Sequence, residues 1–317
     1  MGPRKTRTEE IMDAKALRGN LLLFTAALVW GATFVAQRQG MDHMGPLTFS
    51  GVRFLAGALC LLPLAMMARR RGFLKAAIAG RPWLPLWGSL LSGTLMALGI
   101  NFQQVGLVWT TAGKAGFITG LYVVIVPVFG LFWKQRPGPG VWVGAPLAAA
   151  GLYFLSVTGG FTLAKGDGWV LVCAFAWAFQ VLAVGWLSPR MDSFVLAFGQ
   201  ALVCAAWSLA LAFVLEDPTL ASLKAAWFPL AFGSIASVAV GFTLQVIGQR
   251  DAPPAHAAII LQLESVFAAL AGWAILGEIM GDRALLGAGL MMTGMVTAQV
   301  WTARDKARSR AAARRGV

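Results

Sequence analysis

Apolar residues fill this chain in runs of about 20, separated by short connectors with turn chemistry such as Arg136-Pro137-Gly138-Pro139-Gly140 and Asp251-Ala252-Pro253-Pro254. At roughly 1.5 Å per residue, a helix of about 20 residues crosses a hydrocarbon core of about 30 Å. The runs are helices because a segment in lipid must satisfy its backbone hydrogen bonds internally. Spans are predicted near residues 18–37, 46–67, 84–104, 112–133, 141–158, 168–187, 193–214, 227–247, 254–275 and 283–302. The pattern therefore predicts an all-α integral membrane protein of ten transmembrane helices, with no separate domain between them.

Composition agrees, since 58% hydrophobic and 12% charged residues at a mean hydropathy of +0.71 exceed what a soluble core of 317 residues can bury. The net charge of +13 changes the picture only through its placement. One side of the spans carries the N-terminal run through Arg18, the cluster from Arg69 to Arg81, Lys134, Arg136, Arg190, Arg250 and the run from Arg304. The other side carries only Arg38, Lys114, Lys165, Lys224 and Arg283, with Arg53 inside a span. Basic loops stay in the cytoplasm, so both termini are expected inside a bacterial-type inner membrane. The excess then reads as topology and attraction to membrane lipid head groups, and no nucleic-acid partner is expected. Cys60, Cys173 and Cys204 fall inside spans, where cysteine is a small buried hydrophobe. No cofactor or metal site is expected.

The two halves repeat. Trp30 matches Trp177, and Arg53 matches Gln200, at an offset of 147. Trp83-Leu84-Pro85-Leu86 matches Trp227-Phe228-Pro229-Leu230 at 144, and Gly144 and Gly151 match Gly287 and Gly294 at 143. Tyr122 aligns with Glu264 at 142, as Lys114 does with His256. This divides the chain into a basic N-terminus (1–17), a first five-helix repeat (18–158), a second (166–302) and a basic tail (303–317). An odd number of spans per repeat makes the two inverted, the geometry that alternating access requires.

The stretch Thr110-Thr111-Ala112-Gly113-Lys114-Ala115-Gly116-Phe117-Ile118-Thr119-Gly120-Leu121-Tyr122-Val123-Val124 resembles the fourth helix of the EamA family in the drug/metabolite transporter superfamily. Its counterpart from Ala257 through Glu264 to Leu270, with Leu276-Gly277-Glu278 and Leu286-Gly287-Ala288-Gly289-Leu290, is similar to the family's terminal motif. The resemblance covers about residues 18 to 302. It implies a secondary transporter, commonly an exporter of amino acids or other metabolites. Family members usually read Leu-Glu-Pro where this chain has Leu263-Glu264-Ser265, which removes the expected kink from the ninth helix, while Pro127 remains to bend the fourth.

A charge at the bilayer centre costs about 2.5 to 3.5 kcal/mol on insertion scales, so Glu264 and Arg53 need a reason to be there. On a polar cavity Glu264 would bind a substrate amine or a proton, and Arg53 would face a carboxylate or pair with Glu264. Otherwise both are structural, bonded to hydroxyls, carbonyls or each other. Asn101 and Gln245 align at 144 and would line a symmetric cavity, as would Gln200, although amides glue helices together just as readily. Trp30, Trp177 and Tyr122 lie near midspan, as packing or as a wall that stacks on an apolar or cationic substrate. Trp83, Trp133, Trp186, Trp227 and Trp301 sit at span ends as interface anchors. His256 titrates near neutral pH and reads as interfacial or as a proton sensor.

The expected function is export of amino acids or related small metabolites through a central cavity, with proton coupling through Glu264. Efflux of lipophilic cations is the alternative within transport; a membrane scaffold or embedded enzyme is the alternative outside it, and a homodimer is left open. No HExxH or GxSxG pattern supports an enzyme.

Overall fold

A computed structural model describes residues 7–70, 81–107, 109, 112–157, 164–276 and 280–314, and every regular element among them is helical. The helices are α1 (Arg7–Met41), α2 (Pro46–Arg70), α3 (Leu84–Leu107), α4 (Ala112–Gly120), α5 (Tyr122–Gly130), α6 (Pro139–Ser156), α7 (Lys165–Leu187) and α8 (Ser193–Leu215). A short α9 (Leu220–Ala225) leads to α10 (Trp227–Phe232), a π-helix (Gly233–Phe242) and α11 (Thr243–Asp251). Then come α12 (Pro254–Leu261), α13 (Glu264–Leu276) and α14 (Asp282–Arg314). The first and last helices run past the apolar stretches, so residues from Arg7 and residues up to Arg314 are helical where the sequence suggests basic tails.

Among the described residues, nine helical stretches are long and apolar enough to cross a membrane. Helix α3 has the length, but Ser89, Ser92, Thr94, Asn101, Gln103 and Gln104 dilute it below the apolar content of the other nine. Those side chains mostly face inward: Ser92 and Gln104 are buried, and Asn101 is 7% exposed. Trp83, Trp133, Trp186, Trp227 and Trp301 are exposed at helix ends, where interface anchors belong. Cysteines 173 and 204 are buried, but Cys60 is exposed on the outside of α2, correcting its assignment to the interior. A thiol is apolar enough to face lipid at little cost. The side chains of Arg38 and Lys114, and Gly277-Glu278, lie outside the described residues.

The pairing of helices repeats between the halves: α3 packs on α7 as α11 packs on α1, and α4 and α5 pack on α7 as α12 and α13 pack on α1. Helices α6 and α14 cross through glycine. A Cβ added at Gly151 would lie 2.5 Å from the Gly287 carbonyl, and one at Gly287 would lie 2.5 Å from that of Gly151; Gly144 and Gly294 stand in the same relation. Backbones this close require small residues at the crossing.

Two long helices are interrupted at matching positions. Between α4 and α5, Leu121 donates its N–H to the Ile118 carbonyl at 3.2 Å; between α12 and α13, Leu263 donates to Ile260 at 3.1 Å. Both are i→i−3 bonds of a tightened turn, 142 residues apart in sequence. The ninth span thus breaks without a proline. The Gln262 amide donates to the Ser265 hydroxyl across the break at 3.0 Å. The two breaks touch, since a Cβ at Gly120 would lie 2.6 Å from Gln262 Nε2.

Candidate functional site

The breaks place Tyr122 and Glu264 as the first residues of half-helices α5 and α13 at the middle of the bundle. Both border one central cavity. Trp30 and Gln37 from α1, Arg53 from α2, Trp177 from α7 and Gln245 from α11 line it as well. Its volume is about 60 Å³. A water needs roughly 10 to 15 Å³ by this measure, so the cavity holds a few waters in this conformation and must widen to admit a substrate.

Arg53 is 2% exposed, with its guanidinium between the rings of Phe49 and Phe54 at 5.4 and 5.2 Å. One terminal nitrogen donates to the Gln37 carbonyl oxygen at 2.9 Å, while Nε is buried with no partner. Five fixed donors and one amide acceptor leave the group able to take an anion in fork geometry. The carboxylate of Glu264 has no hydrogen-bond partner among the described residues, and no ion pair joins it to Arg53.

An aromatic stack forms one wall. Phe242, the last residue of the π-helix, lies between Trp30 at 4.7 Å and Trp177 at 6.2 Å, stacked on the latter with an interplanar angle of 9°. The Trp30 indole N–H donates to the Ser237 carbonyl at 3.2 Å, and a Cβ at Gly241 would lie 2.3 Å from its nitrogen.

Of the residues singled out in the sequence, Glu264, Arg53, Tyr122, Trp30, Trp177 and Gln245 line the cavity. Asn101 and Gln200 lie outside it. The Asn101 carbonyl accepts from Ser208 at 3.1 Å, and that of Gln200 accepts from Gln180 at 3.3 Å. Gln180 also donates to Gln245 at 3.4 Å and accepts from it at 3.0 Å, so these amides tie α7, α8 and α11 together behind the wall. Gln37, Thr33 and Thr119 border the cavity without having been singled out. A four-residue spacing from Trp30 through Phe34 to Arg38 flanks Gln37, and no hydropathy signal marks it. His256 lies away from the site, against the Thr302 hydroxyl.

Between this cavity and the end of the bundle that carries Arg136, Arg190 and Arg250, an apolar layer of Val123, Val126, Val181, Leu182 and Ile259 is closed. The cavity therefore leans toward the opposite face, where Gln37 and Arg53 lie near helix ends. No group of acids, histidines and cysteines suited to a metal occurs among the described residues.

Comparison with known proteins agrees with this architecture. A solved structure superposes with a TM-score of 0.74 over 89% of this chain and 98% of its own at 20% identity, which establishes a shared fold. An uncharacterized transporter of Archaeoglobus fulgidus is 32% identical over 284 residues, 89% of this chain and 86% of the relative. The uncharacterized inner membrane transporter YedA of Escherichia coli K12 is 27% identical over 86% of this chain and 88% of its own. The pattern of the EamA-like transporter family matches twice, over residues 17–157 and again over 164–298. The chain belongs to the EamA-like transporter family and is a membrane transporter rather than an enzyme.

Proposed function

We propose that the chain is a secondary exporter of amino acids or closely related zwitterionic metabolites, working by alternating access between two inverted five-helix repeats in a bacterial-type inner membrane, with both termini in the cytoplasm. The observation that carries the substrate class is that an acid, Glu264, and a base, Arg53, border one cavity without pairing with each other. An ion pair would neutralise both at little net gain, whereas two unpaired opposite charges match a substrate that has both. The wall of Trp30, Phe242 and Trp177 suits an apolar or aromatic side chain.

Orientation rests on the basic loops; the repeat rests on near-constant offsets of 142 to 147 and on two helix breaks 142 residues apart, and its inversion on the odd number of spans in each half. With no nucleotide-binding motif in the sequence, energy comes from an ion or substrate gradient, and Glu264 is the group placed to exchange a proton. The aromatic wall supports a second reading, efflux of lipophilic cations, for which Arg53 would be a repulsive neighbour.

The test is uptake and release of a labelled panel of amino acids and lipophilic cations by proteoliposomes, with and without a pH gradient. Movement of zwitterions that responds to the gradient is expected. Movement of cations alone would reverse the substrate reading, and gradient-independent movement would remove proton coupling.

A further inference from the structure

A second void, about 1360 Å³, lies toward the end rich in arginine, and Leu91, Trp133 and Trp186 of its lining are exposed apolar side chains. The closed apolar layer of Val126, Val181 and Ile259 separates it from the central cavity. It runs along α7 from Phe179 and on to the turn at Arg190, faced by Leu91 and Leu95 of α3, by the connector after Trp133, and by Pro253, Pro254, His256 and Thr302. The helical part, Phe179 to Leu187, rises roughly 12 Å, most of one half of a hydrocarbon core of about 30 Å.

The two ends of this groove differ in chemistry. Its deep end is Leu91, Leu95, Phe179, Leu182 and Ala183, and its shallow end is Arg136 and Arg190 beside Trp133 and Trp186. No acidic side chain lines it. Both arginines are exposed. Arg190 donates to the Trp186 carbonyl and lies over that indole, 4.5 Å from its centroid, with its other N–H groups free to bond. The chain turns just before Arg136. Lys134 takes the left-handed conformation at φ 58°, and Gln135 donates back to the Gly130 carbonyl at 3.0 Å, a helix C-cap that redirects the chain.

We propose that this lateral groove is a binding site for an anionic phospholipid of the adjoining leaflet, one acyl chain lying along Leu95 and Phe179 and the phosphate between Arg136 and Arg190. An amphipathic slot one leaflet deep, cationic only at the head-group level, matches such a lipid in length, polarity and charge. A polar solute would gain nothing from the deep end.

The full-length protein is placed in nanodiscs of equal phosphatidylglycerol and phosphatidylcholine with identical acyl chains, and the lipids retained after release are measured by native mass spectrometry. The wild-type protein is expected to retain phosphatidylglycerol preferentially. R136Q/R190Q should lower that preference about fivefold per charge removed. K15Q/R18Q, which removes two exposed cations outside the groove, should lower it far less. Leu95→Trp, which fills the deep end without altering charge, should reduce retention of both lipids. Unchanged preference in R136Q/R190Q, an equal loss in K15Q/R18Q, or full retention in Leu95→Trp overturns the proposal. So does thermal stabilisation by inorganic phosphate alone equal to that given by phosphatidylglycerol.

Discussion

At the scale of single residues, the cavity concentrates its chemistry in two side chains with different attachments. Glu264 opens a half-helix and borders the cavity without a hydrogen-bond partner among the described residues. Glu264→Gln keeps the shape and removes the proton site. Counterflow should then persist while the response to a pH gradient disappears, measured in proteoliposomes at fixed substrate. Arg53 offers a fork to a carboxylate and is already braced by Gln37 and two phenyl rings. Arg53→Gln should weaken substrate binding by about 1.5 to 3 kcal/mol, the value of a hydrogen bond to a charged group, seen as a higher KM with folding intact. Both residues were legible in the sequence, because a charge within an apolar run is conspicuous. Asn101 and Gln200 were equally legible, but their place behind the cavity was not: the sequence shows that an amide is buried, and only packing shows which partner it meets.

At the scale of helices, the halves solve one problem in two ways. Asp192 caps α8 locally, accepting from the N–H groups of Phe194 and Val195 at 2.8 and 3.2 Å. The position 147 residues earlier is Gly45, which has no side chain to offer. There the Glu216 carboxylate reaches across from the end of α8 and accepts from the N–H groups of Leu47 and Thr48, both at 2.8 Å, and from the Thr48 hydroxyl at 2.6 Å. It occupies the space of an aspartate at 45, since a Cβ there would lie 2.2 Å from the Glu216 carboxyl. Glu216→Ala should lower stability by about 1 kcal/mol, within the usual range for a lost cap. Gly45→Asp alone should also destabilise, by crowding and charge repulsion, whereas the two together should recover most of the loss in a thermal-unfolding double-mutant cycle. The α6–α14 crossing allows no such exchange. Gly151→Val should cost about 1 to 3 kcal/mol or block assembly, read from yield and Tm, because a Cβ meets backbone rather than a movable side chain. The ninth-span break was not legible, as the missing proline argues against it; the Gln262–Ser265 bond spans it.

At the scale of the whole molecule, a buried apolar layer around Val126 stands between the cavity and the arginine-rich end. Gln37→Cys should react with a membrane-impermeant thiol reagent added outside intact cells, while Val126→Cys, within the closed layer, should react only under conditions that drive transport. Labelling of Gln37→Cys from the cytoplasmic side alone would reverse the orientation.

Hydropathy, loop charge and constant offsets between the halves are one-dimensional quantities, so the sequence by itself determined the helical membrane class, the double repeat, the family and the short list of intramembrane charges. Which of those charges share a void depends on contacts between residues as far apart as Arg53 and Glu264, and so do the local breaks, the π-helix wall and the trans-acting cap of Glu216. Those were decided by tertiary packing, because a side chain's partner in a bundle is set by the helix that lies against it and not by its neighbours along the chain.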